Sequence, residues 1–287
     1  MLVARRGCGG RRILPRSRRW RRLPLPVLPM DHFEPPVLHL RTAPRQILAS
    51  VQIVLTDIDG TMTGDARITP AVIEASLRLA AAGVDIFPVT GRSAGEALGL
   101  ARYIPSFSRA IAENGGVLIV PDRPIVYLRQ RVDAAEMARA AAKLGNGNWR
   151  LAPCSAFRLT DQAWDRADHT EAELAQARTA AEDMGICLTW SSVHIHLTAA
   201  PPDKGLGALA VLAQDGIDPL RALTIGDAPN DEGLWQAGRF GITVGTADVA
   251  HSWQRLRHTP AYTVARESQG WRQMADLILE ARLPLAG

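Results

Sequence analysis

The stretch VQIVLTDIDGT, residues 51–61, decides the fold. It opens with a run of strand-forming apolar residues and closes with two carboxylates, Asp57 and Asp59. A short continuous apolar run predicts a strand that is buried on both faces, as in a parallel sheet covered by helices. A helical pattern follows at residues 71–82, and a second apolar run occupies residues 84–89. This alternation of strand and helix predicts an α/β fold.

The same alternation continues further along the chain and indicates a Rossmann-like core with a parallel sheet. Further core strands are predicted at residues 109–112, 117–120, 222–225, 241–244 and 262–264, and further core helices at residues 93–103, 205–213, 268–281 and from Asp231 onward.

Two proline-rich segments, residues 121–124 and 200–203, bracket the middle of the chain. Such segments suit stiff connections between a host domain and an inserted one. Residues 125–199 are therefore predicted to form a small inserted α/β domain, and residues 46–124 and 200–287 to form the core. Within the insertion the pattern predicts helices at 133–144 and 171–184 and strands at 156–160, 186–190 and 193–198.

The composition is that of an ordinary folded protein, with 287 residues, 47% of them hydrophobic and 22% charged. The three cysteines, Cys8, Cys154 and Cys187, lie far apart, so neither a disulfide framework nor a CxxC metal motif is expected. We therefore expect a reducing, cytoplasmic setting. No apolar run reaches the length of about 18 residues that spans a membrane, so no membrane partner is expected.

The positive charge of the chain is concentrated at its start. Residues 1–29 hold nine arginines and no acidic residue, so the net charge of +4 becomes −5 for the remainder. Prolines interrupt this segment, which has neither a helical apolar stripe nor the features of a signal peptide. Residues 1–45 are therefore predicted to be a disordered extension rich in Arg and Pro, with Met30 as an alternative start. Targeting and nucleic-acid binding are the less favoured alternatives.

Polar residues follow the predicted core strands, at the edge where an open α/β sheet places its ligands. Carboxylates that lie close together repel each other, and Mg²⁺ relieves this repulsion without a dedicated protein cage. Taken singly, each motif is also explained by turn punctuation or a helix N-cap. The motifs are Asp57 with Asp59, Thr90 with Gly91, and Asp227 with Asn230 and Asp231.

Lys204 stands out because the chain has 31 arginines and only two lysines, at positions 143 and 204. A compact ammonium suits a position where one point charge meets both a carboxylate and a phosphoryl oxygen. A solvated surface lysine is the alternative. Together with the carboxylates and the hydroxyl of Thr90, Lys204 completes the set of groups that phosphoryl transfer through an aspartyl-phosphate requires.

On these motifs the chain resembles phosphatases of the haloacid dehalogenase superfamily, in the Cof-type and sucrose-phosphatase-like branch. The motifs DIDGT at 57–61, TGR at 90–92, Lys204 and GDAPND at 226–231 match in order, and the resemblance covers about residues 50–285. It implies a core with an inserted cap domain and a magnesium-dependent phosphatase of small phosphorylated metabolites. The alanine and proline at 228 and 229 depart from many relatives and affect only the shape of that loop.

The resemblance also implies a role for each matched residue. Asp57 would be the nucleophile, and Asp59 the general acid and base. The phosphoryl group would be held by Thr90, Gly91 and Lys204. Magnesium would be bound by Asp57, the carbonyl of Asp59 and Asp227, and by Asp231 either directly or through water. Asn230 would support the site by hydrogen-bonding nearby.

Substrate choice is expected to reside in the inner face of the cap. The candidates for substrate contact are Arg158, Asn114, His194 and His196. Each has a plain alternative: a solvated strand residue for Arg158, a bare turn for Asn114, and a surface or packed pair for the histidines. The resemblance implies that the substrate is a small phosphomonoester, such as phosphoglycolate or a sugar phosphate.

Other functions remain as alternatives at this point. A phosphotransferase or a sugar phosphomutase of the same superfamily is the first, because the same groups serve both. A non-catalytic nucleic-acid-binding protein that uses the Arg-rich segment is the remote one. A receiver domain would need only about half this length, and a dinucleotide-binding protein would show GxGxxG after its first strand. The sequence carries no feature that fixes an oligomeric state.

Overall fold

The computed structural model describes residues 37–191 and 193–284. Its strands are β1 (Leu38–His39), β2 (Ile53–Thr56), β3 (Thr63–Gly64), β4 (Arg67–Ile68), β5 (Asp85–Pro88), β6 (Ala110–Ala112), β7 (Val117–Ile119), β8 (Val126–Tyr127), β9 (Asp161–Asp165), β10 (Cys187–Trp190), β11 (His194–Thr198), β12 (Ala222–Gly226), β13 (Ile242–Thr246) and β14 (Tyr262–Val264). Its α-helices are α1 (Arg45–Ala49), α2 (Pro70–Ala81), α3 (Ala94–Tyr103), α4 (Ala134–Leu144), α5 (Glu171–Glu182), α6 (Lys204–Asp215), α7 (Glu232–Trp235) and α8 (Glu267–Arg282).

A six-stranded parallel sheet forms the core, in the order β1-β14-β13-β12-β2-β5. The strand that decides the fold, β2, lies between β12 and β5, so Val54 pairs with Leu223 on one side and Ile86 on the other. Because neighbouring strands are parallel, the residues that follow β2, β5 and β12 emerge at one edge of the sheet. The predicted α/β fold with a parallel sheet is confirmed.

Helices cover both faces of this sheet, which explains why β2 is apolar at consecutive positions. Ile53 and Leu55 point into a core shared with α6 and α7, whereas Val54 points into a core shared with α1, α2 and α8. Side chains alternate between the two faces of a strand, so both cores require an apolar residue from each strand. The near-continuous apolar run at 51–58 follows from this arrangement.

The last helix is tied to the central strand by Trp271, a large and fully buried side chain of α8. Its indole Nε1 donates a hydrogen bond of 3.0 Å to Oγ1 of Thr56. The hydroxyl of Thr56 in turn donates to the backbone carbonyl of Asp57 at 2.6 Å. The carboxyl end of β2 is therefore fixed from behind by a helix more than 200 residues away in the chain.

A second, antiparallel sheet of three strands, in the order β10-β11-β9, lies in the segment 125–199. Its apolar face packs against α4 and α5 and forms a separate hydrophobic cluster around Trp164, Ile195 and Leu197. The alternate residues His194 and His196 therefore lie on the opposite face, as their spacing predicts. The division into core and cap at residues 124/125 and 199/200 stays a prediction, and we refer to 125–199 as the cap segment.

The predicted strand at 156–160 was wrong. Residues Pro153–Phe157 form a 3-10 turn, and the strand of this region is β9, which begins at Asp161. Proline has no backbone N–H for a ladder and favours the first turn of a helix, so the chain turns at Pro153. Pairing with β11 then begins at Asp161, which lies opposite Thr198.

The predicted disordered extension was wrong for its last residues, 37–45. Leu38 pairs with Tyr262 as the edge strand β1, and Leu40 is fully buried in the cluster that contains Trp271. Burial of this leucine stabilises the folded conformation of residues 37–45. Residues 1–36, which include Met30 and the nine arginines, lie outside the described residues. In the part of the chain that the structure describes, no helix is both long and apolar enough to cross a bilayer.

Candidate active site

The candidate site lies where β2 and β12 end side by side. The backbone N–H of Asp57 donates to the carbonyl of Ile225 at 2.9 Å, which continues the pairing of the two strands into the site. β12 ends at Gly226, where a Cβ atom would lie only 2.4 Å from the carboxyl group of Asp231. Glycine at this position lets the backbone and the carboxylate of Asp231 come close together.

Three aspartates meet at this edge: Asp57, Asp227 and Asp231. One carboxylate oxygen of each lies within 4.8 Å of the others. Asp231 is fixed because its Oδ2 accepts hydrogen bonds from the backbone amides of Asp227 and Ala228, at 2.9 and 3.1 Å. Asp227 is held from the β2 side, where the hydroxyl of Thr61 donates to it at 2.8 Å. The two loops therefore hold the three carboxylates in one group.

Lys204 lies beside these acids and is completely buried. Its Nζ is 2.6 Å from Oδ1 of Asp57 and 2.6 Å from Oδ1 of Asp231. Burial opposes its positive charge, but the carboxylates of Asp231 and Asp57 outweigh burial and raise the pKa of Lys204. The lysine is the first residue of α6, whose N-cap Asp203 accepts a hydrogen bond from the amide of Leu206. Its position thus follows from the start of that helix.

The charges of the group do not balance, since one ammonium faces three carboxylates. Burial, which outweighs the attraction of Lys204, raises the pKa of Asp57 to about 7. Burial and the negative charges of Asp57 and Asp231 raise the pKa of Asp227 to about 9. A cation relieves this excess of negative charge, and a donor set made only of oxygen atoms is the type that hard divalent cations prefer. The acidic group therefore fits a divalent metal ion.

The two residues Thr90 and Gly91, which follow β5, add a hydroxyl group and a backbone without a side chain to the site. Thr90 is completely buried, and its Oγ1 accepts a hydrogen bond of 3.1 Å from the amide of Arg92. Gly91 follows, and a Cβ atom there would lie 3.1 Å from Oδ1 of Asn114. Asn114 also accepts a hydrogen bond of 3.4 Å from the side chain of Asn230. Thr90, Gly91, Asn114 and Asn230 are therefore brought to the same edge of the sheet.

Asp59 is placed differently from the other acids. Its carboxylate is about half exposed and is held by two hydrogen bonds from Arg92, at 2.8 Å from Nε and 2.6 Å from Nη2. The same guanidinium contacts Glu96 at 2.7 Å, and the hydrogen bond to Asp59 contributes most to raising the pKa of Arg92. The carboxylate of Asp59 therefore lies at the exposed side of the site, and its expected carbonyl contact with a metal stays a prediction.

No family model matches the chain, but comparisons with curated proteins and solved structures find relatives. Phosphoglycolate phosphatase of Natronomonas pharaonis is 32% identical over 197 residues, which cover 67% of this chain and 84% of that protein. The chain belongs to the haloacid dehalogenase superfamily of phosphatases. Phosphoglycolate phosphatase of Methanothermobacter thermautotrophicus is 29% identical over 69% of this chain and 87% of its own. A haloacid dehalogenase-like hydrolase of Bacteroides thetaiotaomicron shares the fold, with a TM-score of 0.65, 14% identity and coverage of 79% and 99% of the two chains.

In this haloacid dehalogenase phosphatase, a buried polar cluster of the cap segment reaches the core. Nη1 of Arg158 lies 2.9 Å from both carboxylate oxygens of Asp161 and 3.1 Å from the backbone carbonyl of Gly91. The carboxylate of Asp161 also lies 2.9 Å from Nδ1 of His196. Burial opposes the charge of Asp161, but the contacts with His196 and Arg158 hold its pKa below the usual value. Arg158 is therefore a buried bridge to the loop after β5, and the alternative of a solvated strand residue was wrong.

The two histidines share one face of β11, and they have different surroundings. Their rings meet edge to face, with centroids 5.9 Å apart. His196 is buried beside Asp161, whereas His194 is half-buried, and its burial lowers its pKa. His194 and His196 lie on the face of the cap sheet that α4 and α5 leave uncovered.

Sequence reasoning missed the side-chain partners of several site residues. The pairing of Arg92 with Asp59 joins residues 33 positions apart, and that of Thr61 with Asp227 joins residues 166 apart. Neither pairing follows from local spacing, although both arginine and threonine lie within the quoted motifs. Asp161 was also missed, and its only signal is its place three residues after Arg158.

Proposed function

We propose that the protein is a magnesium-dependent phosphatase that hydrolyses a small phosphomonoester through an aspartyl-phosphate intermediate. The observation that carries this proposal is the contact of Lys204 with Asp57, because it places a fixed positive charge beside a buried carboxylate nucleophile. The neighbouring Asp227 and Asp231 would supply oxygen donors to the metal. When bound, Mg²⁺ would neutralise negative charge on the phosphoryl group and on the acids.

In the first step, a carboxylate oxygen of Asp57 attacks the phosphorus atom. A bond forms between this oxygen and phosphorus as the bond between phosphorus and the leaving oxygen breaks. The carboxyl group of Asp59 donates its proton to the leaving oxygen, so the product departs as an alcohol. Lys204 keeps its charge and stabilises the phosphoryl oxygens together with the hydroxyl of Thr90 and the backbone at Gly91.

In the second step, Asp59 is a carboxylate and accepts a proton from a water molecule. The water oxygen forms a bond to phosphorus while the bond to Asp57 breaks, which releases inorganic phosphate. Both side chains return to their initial protonation states. Asp59 must leave at least one of its hydrogen bonds with Arg92 to act in either step, and its exposed position makes this exchange feasible.

The names of the relatives and the residues of the cap segment support a proposal for the substrate class. The relatives are named phosphoglycolate phosphatases, which supports phosphoglycolate or a similarly small sugar phosphate as the substrate. Arg158, Asn114, His194 and His196 would contact the part of the substrate that leaves, because they lie beside Gly91 or on the face of the cap sheet opposite α4 and α5. We also propose a cytoplasmic location, which the free thiols of Cys154 and Cys187 support.

The experiment that tests the function is a measurement of phosphate release from phosphoglycolate, sugar phosphates and nucleotides in the presence of Mg²⁺. We expect release from a small number of these compounds by the wild type and none by Asp57→Asn, which keeps the shape of the side chain and removes the nucleophile. Activity of Asp57→Asn equal to that of the wild type would disprove the assignment. Transfer of phosphate to an added sugar phosphate instead of water would favour a phosphotransferase or mutase.

A further inference from the structure

The turn after β6 has an unusual backbone for its sequence. Glu113 and Asn114 both adopt left-handed conformations, with φ of 54° and 52°, and Gly115 follows with φ of 89°. Consecutive left-handed residues other than glycine are uncommon and persist only where surrounding contacts hold them. Gly115 packs closely on the start of α6, because a Cβ atom there would lie 2.3 Å from the carbonyl oxygen of Asp203. The turn thus lies directly against the residue before Lys204.

The side chain of Glu113 holds the cap segment to this turn. Its carboxylate is completely buried and accepts hydrogen bonds from the backbone amides of Leu159, at 3.0 and 3.1 Å, and of Thr160, at 2.6 Å. The hydroxyl of Thr160 donates to it at 2.7 Å, and the amide of Ala94 at the start of α3 donates at 3.1 Å. One buried carboxylate therefore joins the core helix α3 to residues 159–160 of the cap segment.

The backbone of the turn is held from the cap segment as well. Nη2 of Arg129 donates to the carbonyl of Glu113 at 3.0 Å, and its Nη1 donates to the carbonyl of Asn114 at 3.4 Å. Arg129 also contacts the hydroxyl of Thr160 at 3.4 Å. Arginine presents several donors in a fixed planar arrangement, which suits two successive carbonyl groups.

The same turn carries a side chain into the candidate active site. Asn114 lies against Gly91 and accepts a hydrogen bond from Asn230. Contacts with the cap segment and contacts with the catalytic loops therefore belong to adjacent residues of one turn. A shift of residues 158–160 away from Glu113 would also move Arg158, whose guanidinium contacts the carbonyl of Gly91.

From these contacts we infer that Glu113 is a positioning residue that fixes cap residues 158–160 over the loop after β5 and couples their position to Asn114. Glu113 contacts backbone amides and a hydroxyl, so its role is exerted through Leu159, Thr160 and Asn114. The inference deepens the proposed function, on which its kinetic part rests. Its structural part concerns hydrogen bonds of the cap segment and can be measured in the absence of a substrate.

The test compares Glu113→Gln with the wild type by amide hydrogen exchange of the peptide that spans residues 156–162. The amide of Leu159 contacts both carboxylate oxygens, so the NH₂ group of glutamine faces it in either orientation. We expect exchange in this peptide to become about tenfold faster, as the loss of a hydrogen bond to a charged group implies. Unchanged exchange would overturn the inference.

A matched control is Glu173→Gln. Glu173 accepts hydrogen bonds from the amide and hydroxyl of Thr170 at 2.8 and 2.9 Å, which is the same chemistry within the cap segment alone. We expect this variant to leave exchange at 156–162 and activity unchanged. Should Glu113→Gln fail to fold, Thr160→Val removes one donor to Glu113 from the cap side and is expected to accelerate the same exchange by a smaller factor.

The kinetic measurement uses phosphoglycolate or whichever phosphomonoester the wild type hydrolyses. A misplaced cap segment is expected to raise KM about tenfold while kcat stays within about threefold, because Asp57, Lys204 and the metal ligands are unchanged. A fall in kcat with KM unchanged would show a merely structural role and would overturn the coupling. If the wild type hydrolyses none of the compounds, the proposed function fails, and hydrogen exchange alone still decides whether Glu113 fixes the cap segment.

Discussion

The ammonium of Lys204 and the carboxylate of Asp57 form a buried ion pair, with Nζ and Oδ1 2.6 Å apart. Lys204 makes a second contact of equal length with Asp231, so one point charge joins Asp57 to the loop that carries the other acids. A buried ion pair of this kind is not a general source of stability, because both charges lose their hydration. Its value lies in holding a positive charge beside the atom that is expected to attack phosphorus.

The first prediction concerns the chemical identity of this cation. We expect Lys204→Arg to reduce kcat/KM about 100-fold, because the planar guanidinium is larger and cannot place one charge at both carboxylates. We expect Lys204→Met to be less stable than the wild type by about 3 kcal/mol in the presence of chelator, since it leaves buried carboxylates without their partner. Phosphate-release kinetics and urea unfolding measure the two effects.

Lys143→Arg is the control for that pair of variants. Lys143 is the other lysine of the chain and is exposed on α4. Its replacement should leave both activity and the free energy of unfolding unchanged. Full activity of Lys204→Arg would show that position 204 needs only a positive charge and would contradict the geometric argument.

A second prediction concerns the metal. Mg²⁺ at about 100 times its dissociation constant is expected to raise the free energy of unfolding by about 2.7 kcal/mol, provided that it binds the folded state alone. Chelator is expected to abolish both this gain and the phosphatase activity. Mg²⁺ should also raise the Tm of the wild type. Asp227→Asn should remove most of this rise in Tm, because it takes away one of the three carboxylates that meet at the site.

Asp276→Asn is the control for Asp227→Asn, because it removes a carboxylate that lies away from the site. Asp276 forms an exposed ion pair with Arg78, at 3.0 Å, on the outside of α8. The Mg²⁺-dependent rise in Tm should persist in this variant. Equal rises in Tm for the wild type and Asp227→Asn would place the metal elsewhere.

The outcome for individual residues shows what sequence patterns encode. Asp57, Thr90 and Asp231 could be grouped from sequence because parallel strands bring their carboxyl ends to one edge, which is a property of the fold class. Lys204 follows no core strand and could be singled out only because lysine is rare in this chain. The partners of these residues are set by tertiary packing. The same is true of Glu113, because its contacts with Leu159 and Thr160 depend on how the cap segment lies on α3.

Two errors in the sequence prediction have similar physical causes. An apolar and polar mixture at 153–165 is compatible with a strand at either end, and only the ladder with β11 selects 161–165. Residues 37–45 resemble the preceding Arg- and Pro-rich segment in composition. They are ordered because β1 pairs with β14 and because Leu40 and Ala43 are buried in the cluster that contains Trp271.

A third prediction separates the roles of Asp59 and Arg92. Asp59→Asn is expected to reduce hydrolysis of an alkyl phosphate about 10²- to 10⁴-fold, the usual range for loss of a general acid. The first step with p-nitrophenyl phosphate should be much less affected, because its leaving group needs no proton. A burst of p-nitrophenol followed by slow turnover, measured by stopped-flow absorbance, would identify the loss of the base in the second step.

Arg92→Gln is expected to behave differently from Asp59→Asn. It frees the carboxylate of Asp59 from its two hydrogen bonds and leaves the proton-transfer group in place. We expect the dependence of rate on leaving group to match that of the wild type. A dependence like that of Asp59→Asn would show that Arg92 itself takes part in proton transfer.

The last prediction concerns Trp271, which supports the end of β2 beside Asp57. Trp271→Phe removes part of a fully buried ring and the hydrogen bond from Nε1 to Thr56. Creation of a cavity and the loss of this donor are expected to lower the free energy of unfolding by about 2–4 kcal/mol, measured by urea denaturation.

Trp190→Phe is the control, because its Nε1 bonds to the exposed Glu171, and we expect a loss of less than about 1 kcal/mol. The hydrogen bond from Thr56 to the carbonyl of Asp57 does not involve the indole, so kcat of folded Trp271→Phe should stay within about threefold of the wild type. A loss of kcat of about 100-fold, with stability unchanged, would instead mean that the indole controls the position of Asp57 directly.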